Sequence, residues 1–531
     1  MTGNNKDTFL QQVLSEETAN RTQEDQPFKE RLQQALSDDN MHGALERSAT
    51  AQQMTSYTTF ITGPATPDKE MHIVLVDNGR SEMREDPRFK DALRCIRCAA
   101  CANICPSYQQ VGGHAFGYIY SGAIGLVITP FLHGIEAGAG PQSLCVSCNA
   151  CETVCPVEIP LPALILEVRQ RTMEVKGLHW IKKLVFGTMA HPRIFGFFTR
   201  LAIIGQLPIT RGGRYIRARN FGVLGKLPIM SSLVVLARWR SLPAFAAKPL
   251  RDRVKGQLSL SSSGIAGRVG TEHTGIKVCY FAGCMIDRLF PEMGEAAIKV
   301  LRACGVQVTF PQKQSCCGLI ALNSSDRADC TAMAHQTIRV LEQTLEESKA
   351  DYIVGATTSC VVTLTQDYIR LFEDLQQHGW LLRARALAAK VMDFASFMDH
   401  VALAGGATLP IRGFNASPDM IVTYHDSCQS INCLGLRAEA RHIIQDVLGL
   451  ELREMPQSDV CCGFGGSTSI EHGDVSERIM NNKLNNAEGT GATVLVTDNP
   501  GCLMHLQGGV DASGRKMRVL HLAQLIAERM E

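Results

Sequence analysis

Apolar and polar positions in the second half of the chain alternate between two patterns. A short run rich in β-branched residues, KVCYFAGC at 277–284, precedes an amphipathic helical pattern, EAAIKVLRACG at 295–305. The same order returns as IVTYHDSC at 421–428 and EARHIIQDVLG at 439–449. Alternating strands and helices of this kind predict βαβ units around a parallel sheet, and their recurrence at a near-constant offset predicts a duplicated α/β domain.

Each predicted repeat carries four cysteines at corresponding positions. They are Cys284, Cys316, Cys317 and Cys360 in the first repeat, and Cys428, Cys461, Cys462 and Cys502 in the second. Three positions of each repeat fall at strand ends or strand-to-helix turns, at the carboxyl edge of a parallel sheet, where such folds place their ligands. We therefore interpret all eight as metal-ligating thiolates. The alternative is an α/β domain that buries its thiols without a metal, because free cysteine behaves as a small hydrophobe.

Four cysteines of this half have no partner in the repeat or lie in helical patterns. They are Cys279, Cys304, Cys330 and Cys433. We interpret all four as core thiols, with Cys279 or Cys433 as alternatives for an extra ligand.

The first half contains two compact cysteine runs of identical spacing, C-x2-C-x2-C-x3-C-P. They are Cys95, Cys98, Cys101 and Cys105 before Pro106, and Cys145, Cys148, Cys151 and Cys155 before Pro156. In two-cluster ferredoxins three thiolates of such a run bind one [4Fe–4S] cluster and the fourth binds the other cluster. The predicted ligand sets are therefore Cys95, Cys98 and Cys101 with Cys155, and Cys145, Cys148 and Cys151 with Cys105.

A structural zinc site is the alternative for any C-x2-C pair. Such a site takes two pairs of ligands, whereas each run here offers three ligands at i, i+3 and i+6. The connection between the runs carries GGHAFGYIYSGAIG at 112–125 and the apolar run LVITPFL at 126–132. This long connection predicts a helical ferredoxin module rather than the small β-hairpin type.

Length and composition place these motifs in a large protein of the cytoplasm. The chain has 531 residues, which predicts two to four domains, and 20 cysteines. Its N-terminus is polar and shows no signal-peptide core, so clustered cysteines indicate metal ligation rather than disulfides. The longest apolar stretches are interrupted by Arg200, Arg211 and Lys226, which predicts no membrane span. The net charge of +1 does not indicate any partner.

The segment between Lys176 and Lys255 is basic and aromatic, and its only acidic residue is Asp252. Such a segment is suited to the surface of an anionic membrane, near a quinone acceptor. The equally weighted alternative is a solvated, proline-broken linker that docks on an acidic partner or on the chain's own acidic parts. No nucleic-acid-binding motif is present.

The assembled motifs resemble the bacterial lactate-utilisation iron–sulfur proteins, as two subunits fused into one chain. DPRFKDALRCIRCAACANICP and VGGHAFGYIYSGAIG look like the ferredoxin-bearing part of the larger subunit. CYFAGCMID, SCCGL, HDSC and CCGFGG look like the smaller subunit, which consists of two cysteine-rich CCG domains. The CCG domain also occurs in heterodisulfide reductases, glycolate oxidase iron–sulfur subunits and anaerobic glycerol-3-phosphate dehydrogenases.

The resemblance implies an α/β protein with an α-helical ferredoxin module and two duplicated CCG domains. The expected division is an N-terminal remnant (1–83), a two-cluster ferredoxin domain (84–177), a basic apolar connector and linker (178–275), a first CCG domain (276–412) and a second (413–531). Two features depart from the family. The α/β domain ahead of the ferredoxin run keeps only a helical piece at 28–49 and a closing strand at 58–80. Each CCG domain ends in a single cysteine, Cys360 or Cys502, whereas the heterodisulfide reductase pattern ends in C-x2-C, which argues against a reductase-type five-thiolate cluster.

The implied function is electron transfer in a complex that oxidises lactate, with L-lactate the expected substrate. Two [4Fe–4S] clusters belong to the ferredoxin module, and one or two more are expected in the CCG domains. The expected partners are other subunits of the complex, a small 2-hydroxy acid and a quinone or membrane-surface acceptor on the inner face of the cytoplasmic membrane. Alternatives are an iron–sulfur subunit for glycolate, glycerol-3-phosphate or a heterodisulfide, and a non-catalytic scaffold or redox sensor. No flavin or nicotinamide fingerprint is found.

Polar residues beside the cysteines are candidates for tuning a cluster through hydrogen bonds. They are His425 and Asp426 near Cys428, and Asp498 and Asn499 near Cys502. The favoured alternative is that all four simply cap the ends of secondary structure.

Overall fold

The structure is a computed structural model that describes residues 63–64, 66–210, 213–222, 228–255, 275–411 and 420–530. The chain divides into two compact units, Met1–Val76 and Asp77–Glu531. The predicted helical piece at 28–49 and most of the predicted linker at 260–275 lie outside the described residues. The closing strand is wrong where it is described, because 66–76 forms no strand and the side chains of Ile73, Val74 and Leu75 are exposed.

The ferredoxin module is helical, as the long connection between the cysteine runs predicts. Its helices are Arg80–Glu85, Ala100–Asn103, Pro106–Phe116, Gly122–His133, Ile135–Ser143, Ala150–Thr153 and Leu161–Lys176, with a 3-10 helix at Lys90–Arg94. Pro106 begins a helix directly after a cysteine run, because the first helical position needs no backbone N–H. The apolar run forms the helix Gly122–His133, which is buried from Gly122 to Pro130 and forms the module's core.

The connector is also folded in the described ranges, which contradicts a solvated linker there. It agrees with docking on the chain's own acidic residues, because Lys182 pairs with Glu471 at 2.5 Å and Arg253 with Glu295 at 2.9 Å. Its helices are Trp180–Ala190, Pro192–Thr210, Pro228–Trp239 and Leu250–Arg253, with a 3-10 turn at Ala218–Asn220 and a short antiparallel pair of strands, β1 (Tyr215–Ile216) and β2 (Leu242–Pro243). Phe186 and Met189 are buried in the core of the first repeat. The N–H of Ser241 donates to the carbonyl of Gly508 at 2.9 Å, which attaches the connector to the second repeat.

The two C-terminal repeats have the same sheet topology, as the sequence predicts. The first sheet comprises β3 (Lys277–Phe281), β4 (Gln307–Thr309), β5 (Tyr352–Gly355) and β6 (Val391–Asp393), in the order β4-β3-β5-β6. The second comprises β7 (Ile421–His425), β8 (Glu451–Leu452), β9 (Val494–Thr497) and β10 (Arg518–His521), in the order β8-β7-β9-β10. All pairs within both sheets are parallel, with Val278 opposite Tyr352 and Val422 opposite Val494.

Helices follow the strands in both repeats. In the first repeat they are Gly283–Arg288, Pro291–Ala303, Leu319–Asn323, Arg327–Ser348, Thr358–Val362, Tyr368–Asp374, His378–Ala388 and Phe394–Ser396, with π-helical turns at Thr363–Asp367 and Phe397–Leu403. In the second repeat they are Cys428–Cys433, Glu439–His442, Thr468–Glu471, Gly473–Gly489, Pro500–Ser513 and Leu522–Arg529, with a π-helical turn at Ile443–Val447.

The repeats share one hydrophobic core and face each other along the edges that carry the cysteines. The shared core contains Tyr280 and Phe290 of the first repeat together with Val422 and Leu506 of the second. Beside it, the hydroxyl of Thr358 lies 3.0 Å from that of Ser427 and accepts a hydrogen bond from the Asn499 amide at 3.0 Å. The cysteine-bearing turns of both repeats therefore lie at one common interface.

Candidate iron–sulfur sites

The eight cysteines of the ferredoxin module form two groups in space. The outer set is Cys95, Cys98, Cys101 and Cys155, and the inner set is Cys105, Cys145, Cys148 and Cys151. Burial raises the pKa of Cys95, and negative charge on the nearby Cys98 and Cys155 thiolates adds to that rise. In each group the fourth cysteine of one run lies with three of the other run. Their role as cluster ligands stays a prediction.

Tight backbone turns bring the thiols of each cysteine run together. The third cysteine of each run lies in a one-turn helix, Ala100–Asn103 or Ala150–Thr153, and the residue before each helix adopts a φ of 62°. Backbone N–H groups point back at two of the sulfurs, from Ser147 to Cys145 at 3.4 Å and from Ile159 to Cys155 at 3.4 Å. Such N–H groups stabilise thiolate charge, which a metal ligand needs.

A cavity of about 50 Å³ lies among the inner set. All four thiols of the inner set line this cavity. On the side of the two repeats it is lined by Asp367, Arg370 and Gln429. Burial raises the pKa of Cys105 to about 11 and that of Asp367 to about 6. Because buried thiols hold their protons, a metal must displace those protons when it binds. The inner set thus has the chemistry and the space for a thiolate-bound metal group, at the boundary with the repeats.

The first repeat brings its four matched cysteines together. The first-repeat set is Cys284, Cys316, Cys317 and Cys360. The Sγ atoms of Cys317 and Cys360 are 3.3 Å apart, and Cys284 is hydrogen-bonded to Cys316. The Tyr368 hydroxyl donates to the carbonyl of Cys317 at 2.7 Å and so stabilises the turn that carries Cys316 and Cys317.

The second repeat gathers its four cysteines in the same way and adds a histidine. The second-repeat set is Cys428, Cys461, Cys462 and Cys502. The Sγ atoms of Cys462 and Cys502 are 3.3 Å apart, and a ring nitrogen of His425 lies within 4.8 Å of both sulfurs. All three residues are buried. His425 is the last residue of β7, so the strand end itself carries it to the thiols.

A glycine follows the cysteine pair in each repeat because the backbone there is left-handed. Gly318 has a φ of 93° and Gly463 a φ of 90°. A Cβ at Gly463 would lie 2.9 Å from Ile479, and one at Gly318 would lie 3.2 Å from the sulfur of Cys330. The turn brings the N–H of each glycine to 3.4 Å from the sulfur of Cys316 or Cys461. Another residue would lose both the turn and this hydrogen bond.

Two buried cations lie beside the second-repeat set, and the sequence analysis missed both. Burial lowers the pKa of Lys483 to about 8, while the thiolates of Cys462 and Cys461 oppose this shift. Burial likewise lowers the pKa of Arg240 to about 10, opposed by Cys462. Lys483 donates to the carbonyl of Ser458 at 3.1 Å. A buried cation needs negative charge nearby, and Cys461 and Cys462 would supply it once a metal had displaced their protons. The sequence signal that could have revealed this site was Lys483, a lysine at a buried position of the helix Gly473–Gly489.

The four candidate tuning residues have different roles, and capping accounts for only one of them. Asn499 caps the helix Pro500–Ser513 by accepting from the N–H of Gly501 at 2.8 Å. Asp426 instead pairs with Arg441 at 2.8 Å. Asp498 is buried with one carboxylate oxygen unpartnered, and burial raises its pKa to about 6. Capping is therefore wrong for His425, Asp426 and Asp498; the side chain of Ser427 caps the helix Cys428–Cys433.

The cysteines outside the matched set lie as expected for core thiols, except Cys433. Cys279, Cys304 and Cys330 are fully buried in hydrophobic clusters. Cys433 is half-buried at the boundary with the ferredoxin module, where its sulfur accepts from the Asn149 amide at 2.9 Å. All twenty cysteines are free thiols.

The loop that carries the inner set packs directly on the second repeat. The side chain of Asn432 donates to the carbonyl of Cys148 at 2.8 Å, and that of Gln429 to the carbonyl of Ser147 at 3.1 Å. Burial raises the pKa of the Cys148 thiol, and charge on Cys428 of the second-repeat set adds to the rise. The inner set and the second-repeat set are therefore electrostatic neighbours.

Comparison with known proteins agrees with this arrangement. A family described as a 4Fe-4S dicluster domain matches residues 91–159, and one described as a cysteine-rich domain matches 278–365 and 422–507. A probable glycolate oxidase iron-sulfur subunit of Bacillus subtilis is 28% identical over 87% of this chain and 98% of its own length. Lactate utilization protein A of Halalkalibacterium halodurans is 32% identical over 47% of this chain and 96% of its own length. The same protein of an Exiguobacterium species is 34% identical over 47% of this chain and 97% of its own length.

The fold and the gathered thiols define an iron–sulfur protein with a 4Fe–4S dicluster module and two CCG domains. Within that class, the chain belongs to the family of lactate-utilisation and glycolate oxidase iron–sulfur proteins. The resemblance drawn from the sequence is confirmed. In the described ranges no helix is both long and apolar enough to cross a membrane.

Proposed function

We propose that the chain is the electron-transferring iron–sulfur subunit of a complex that oxidises a small 2-hydroxy acid, with L-lactate as the preferred substrate. Electrons would pass through two [4Fe–4S] clusters of the ferredoxin module and one or two further clusters in the CCG domains. The outer and inner sets are the proposed ligands of the first two clusters. The first-repeat and second-repeat sets are the proposed ligands in the CCG domains.

The observation that carries this proposal is the continuity of the thiol sets. The inner set lines a cavity whose far side belongs to the CCG domains. The amide of Asn432 holds the loop between Cys145 and Cys151 against the helix Cys428–Cys433. Electron transfer needs redox groups close together in a rigid, water-poor medium, and this interface provides one.

When bound, [4Fe–4S] clusters supply one-electron steps at potentials that hydrogen bonds, charge and burial adjust. The chain's own residues position the thiolates and exclude water. Phe116 and Leu126 form the apolar wall of the inner cavity. Arg169 holds the start of the second cysteine run by donating to the carbonyls of Gln142 at 2.7 Å and Cys145 at 2.9 Å. The same guanidinium donates to Asn323 of the first repeat at 3.2 Å, so that it joins the two domains.

Glycolate is the second candidate substrate, and a specific observation favours it. The probable glycolate oxidase iron-sulfur subunit aligns over nearly its whole length and 87% of this chain, whereas lactate utilization protein A aligns over 47%. Against this, identity is higher to the lactate utilization proteins, at 32–34% rather than 28%. Lactate and glycolate differ by one methyl group, so a substrate panel can separate them.

The deciding experiment is anaerobic purification of the whole complex, followed by an iron count and EPR after addition of single substrates. We expect about 12–16 irons per chain if CCG clusters accompany the two ferredoxin clusters, and about eight if they do not. L-lactate should reduce the clusters faster than D-lactate, glycolate or glycerol-3-phosphate. Faster reduction by glycolate would favour the second candidate. Clusters that none of the four substrates reduces would refute the proposal and indicate a scaffold or redox sensor.

The proposed acceptor is a quinone, reached at the inner surface of the cytoplasmic membrane through the connector. The helices Trp180–Ala190 and Pro192–Thr210 leave large apolar side chains uncovered, among them Trp180 at 69%, Phe197 at 59% and Ile204 at 65% exposure. Basic residues such as Lys183 and Arg193 flank them. An apolar face bordered by positive charge suits an anionic lipid surface.

Flotation with liposomes tests this surface. The wild-type protein should float with vesicles containing anionic lipid and remain behind with neutral ones. The double variant Phe197→Ser/Phe198→Ser should lose flotation, whereas Leu382→Ser, which removes an equally exposed apolar side chain from another helix, should keep it. Equal flotation of both variants, or no preference for anionic lipid, would refute membrane docking.

A further inference from the structure

The second-repeat site contains a buried nitrogen atom that no group in the described part of the chain satisfies. The Nδ1 of His425 lies 3.1 Å from the carbonyl of Ser458, so Nδ1 carries the proton and donates it. Its Nε2 is therefore a lone-pair acceptor, and it is buried without a hydrogen-bond partner among the residues that the structure describes. An unsatisfied buried acceptor of this kind costs free energy unless a ligand uses it. The hydrogen bond from Nδ1 to Ser458 fixes the orientation of the ring. Histidines that bind a metal typically make such a bond with the ring nitrogen that does not bind the metal.

The thiols around His425 indicate that the partner of Nε2 is a metal atom. The ligand atoms of His425, Cys462 and Cys502 lie within 4.8 Å of one another. Ligands held at about 2.0–2.3 Å from one metal atom in a tetrahedral arrangement are about 3.5 Å apart, so only a small closure is required. In a regular cubane each iron takes one protein ligand, and the cluster itself separates those ligands. The spacing here instead suits three ligands on a single metal atom.

The first repeat lacks this chemistry at the equivalent positions. Phe281 ends β3 where His425 ends β7. The corresponding stretch of the first-repeat helix carries Thr337 and Ile338, which are buried and uncharged, where the second repeat has Lys483. The second-repeat site therefore differs from its duplicate by a buried imidazole and a buried cation, on the same scaffold and around the same four cysteines.

We propose that His425 is a metal ligand, whose Nε2 shares one iron atom with Cys462 and Cys502 in the cluster of the second repeat. This inference rests on the proposed function only in that the second repeat holds iron. It assigns mixed imidazole–thiolate ligation to the second repeat and leaves thiolate ligation alone to the first.

The two CCG sites also differ in the charge around them. Both repeats keep four cysteines, so the neutral imidazole is an added ligand that removes no thiolate charge. The buried cations Lys483 and Arg240 favour the more negative, reduced form of a cluster in the second repeat. The second-repeat site, next to the inner set, becomes the higher-potential site of the pair.

Pulsed EPR of the reduced, iron-loaded chain tests the ligand directly. We expect a strong nitrogen hyperfine coupling that changes on labelling with 15N-histidine and disappears in His425→Ala. His505 is the matched control, because it is buried nearby with Nδ1 bonded to Arg240 at 2.7 Å and Nε2 to Ser476 at 3.4 Å. His505→Asn should keep the coupling. His425→Cys guards against misfolding of the alanine variant; it should keep the iron, lose the nitrogen signal and lower the reduction potential.

Each other outcome overturns the inference. Absence of nitrogen coupling in the wild type, or coupling that survives in His425→Cys, removes His425 as a ligand. Only weak coupling, accompanied by an exchangeable proton at the cluster, indicates a hydrogen bond instead of ligation. One zinc per chain bound through His425 replaces the iron assignment. In all three cases, reduction of the remaining clusters by a 2-hydroxy acid would leave the proposed function intact, so the two failures are distinguishable.

Discussion

Two adjacent glycines allow the contact between the ferredoxin loop and the second repeat to be perturbed with an internal control. Gly465 and Gly466 both have positive φ, 51° and 60°. A Cβ at Gly465 would lie 2.9 Å from Cβ and Cγ1 of Val146, the residue between Cys145 and Ser147. A Cβ at Gly466 would meet nothing within 4 Å. The two alanine substitutions therefore share backbone strain and differ only in this overlap.

The magnitude follows from separating those two costs. An alanine in left-handed conformation costs about 1–2 kcal/mol, and both variants bear this cost. The overlap with Val146 adds about 1–3 kcal/mol in Gly465→Ala alone, because the loop and the repeat must separate. We therefore expect Gly465→Ala to be less stable than Gly466→Ala by about 1–3 kcal/mol. At roughly 1 °C per kcal/mol for a unit of this size, its unfolding midpoint should be lower by about 1–3 °C.

The assay is thermal unfolding of the iron-loaded protein followed by cluster absorbance, with rapid-freeze EPR for electron transfer. Gly465→Ala should also slow reoxidation of the inner cluster by the CCG half, because it separates the inner set from Cys428. Replacing Val146 with Ala in the Gly465→Ala background should recover part of the loss. Midpoints of the two glycine variants that agree within about 0.5 °C, which corresponds to a cost below about 0.5 kcal/mol, would refute this account of the interface.

Three further predictions follow from single contacts. Arg169→Ala should lower stability by about 2–4 kcal/mol, because it removes charged hydrogen bonds to backbone carbonyls. It should also release iron from the inner cluster, whereas Gln170→Ala on the same helix should have neither effect. Unfolding midpoints and iron retention measure the two effects. Asp498 has a pKa raised from 3.8 to about 6, so its favourable contribution to stability is complete below about pH 3.8 and is lost as the pH rises to 6; Asp498→Asn should be the more stable by about 2–3 kcal/mol at pH 8, by about half of that at pH 5, and by nothing below about pH 3.8. Tyr368→Phe should cost about 1 kcal/mol, the net value of its bond to the Cys317 carbonyl, in denaturant titration.

Features set by neighbouring residues could be predicted from the sequence. The parallel sheets of both repeats and the helical ferredoxin module follow from local periodicity and from spacing, which act within a few turns of the chain. Helix capping at Asn499 was predicted for the same reason. The predicted strand at 58–80 was wrong where described, because a strand needs a partner and the apolar residues Ile73 and Leu75 have none in their own segment.

The sequence by itself determined the class of the protein, because cysteine runs at this spacing are typical of iron–sulfur clusters and match few other kinds of site. It also determined the duplication, because matched cysteines stay in register. Only the tertiary structure decided that His425 carries an unsatisfied nitrogen among thiols, that Lys483 is buried beside them, and that the connector is folded. The bond from Asn432 to Cys148 joins residues 284 positions apart. Such contacts depend on how whole domains pack, and local pattern does not encode that packing.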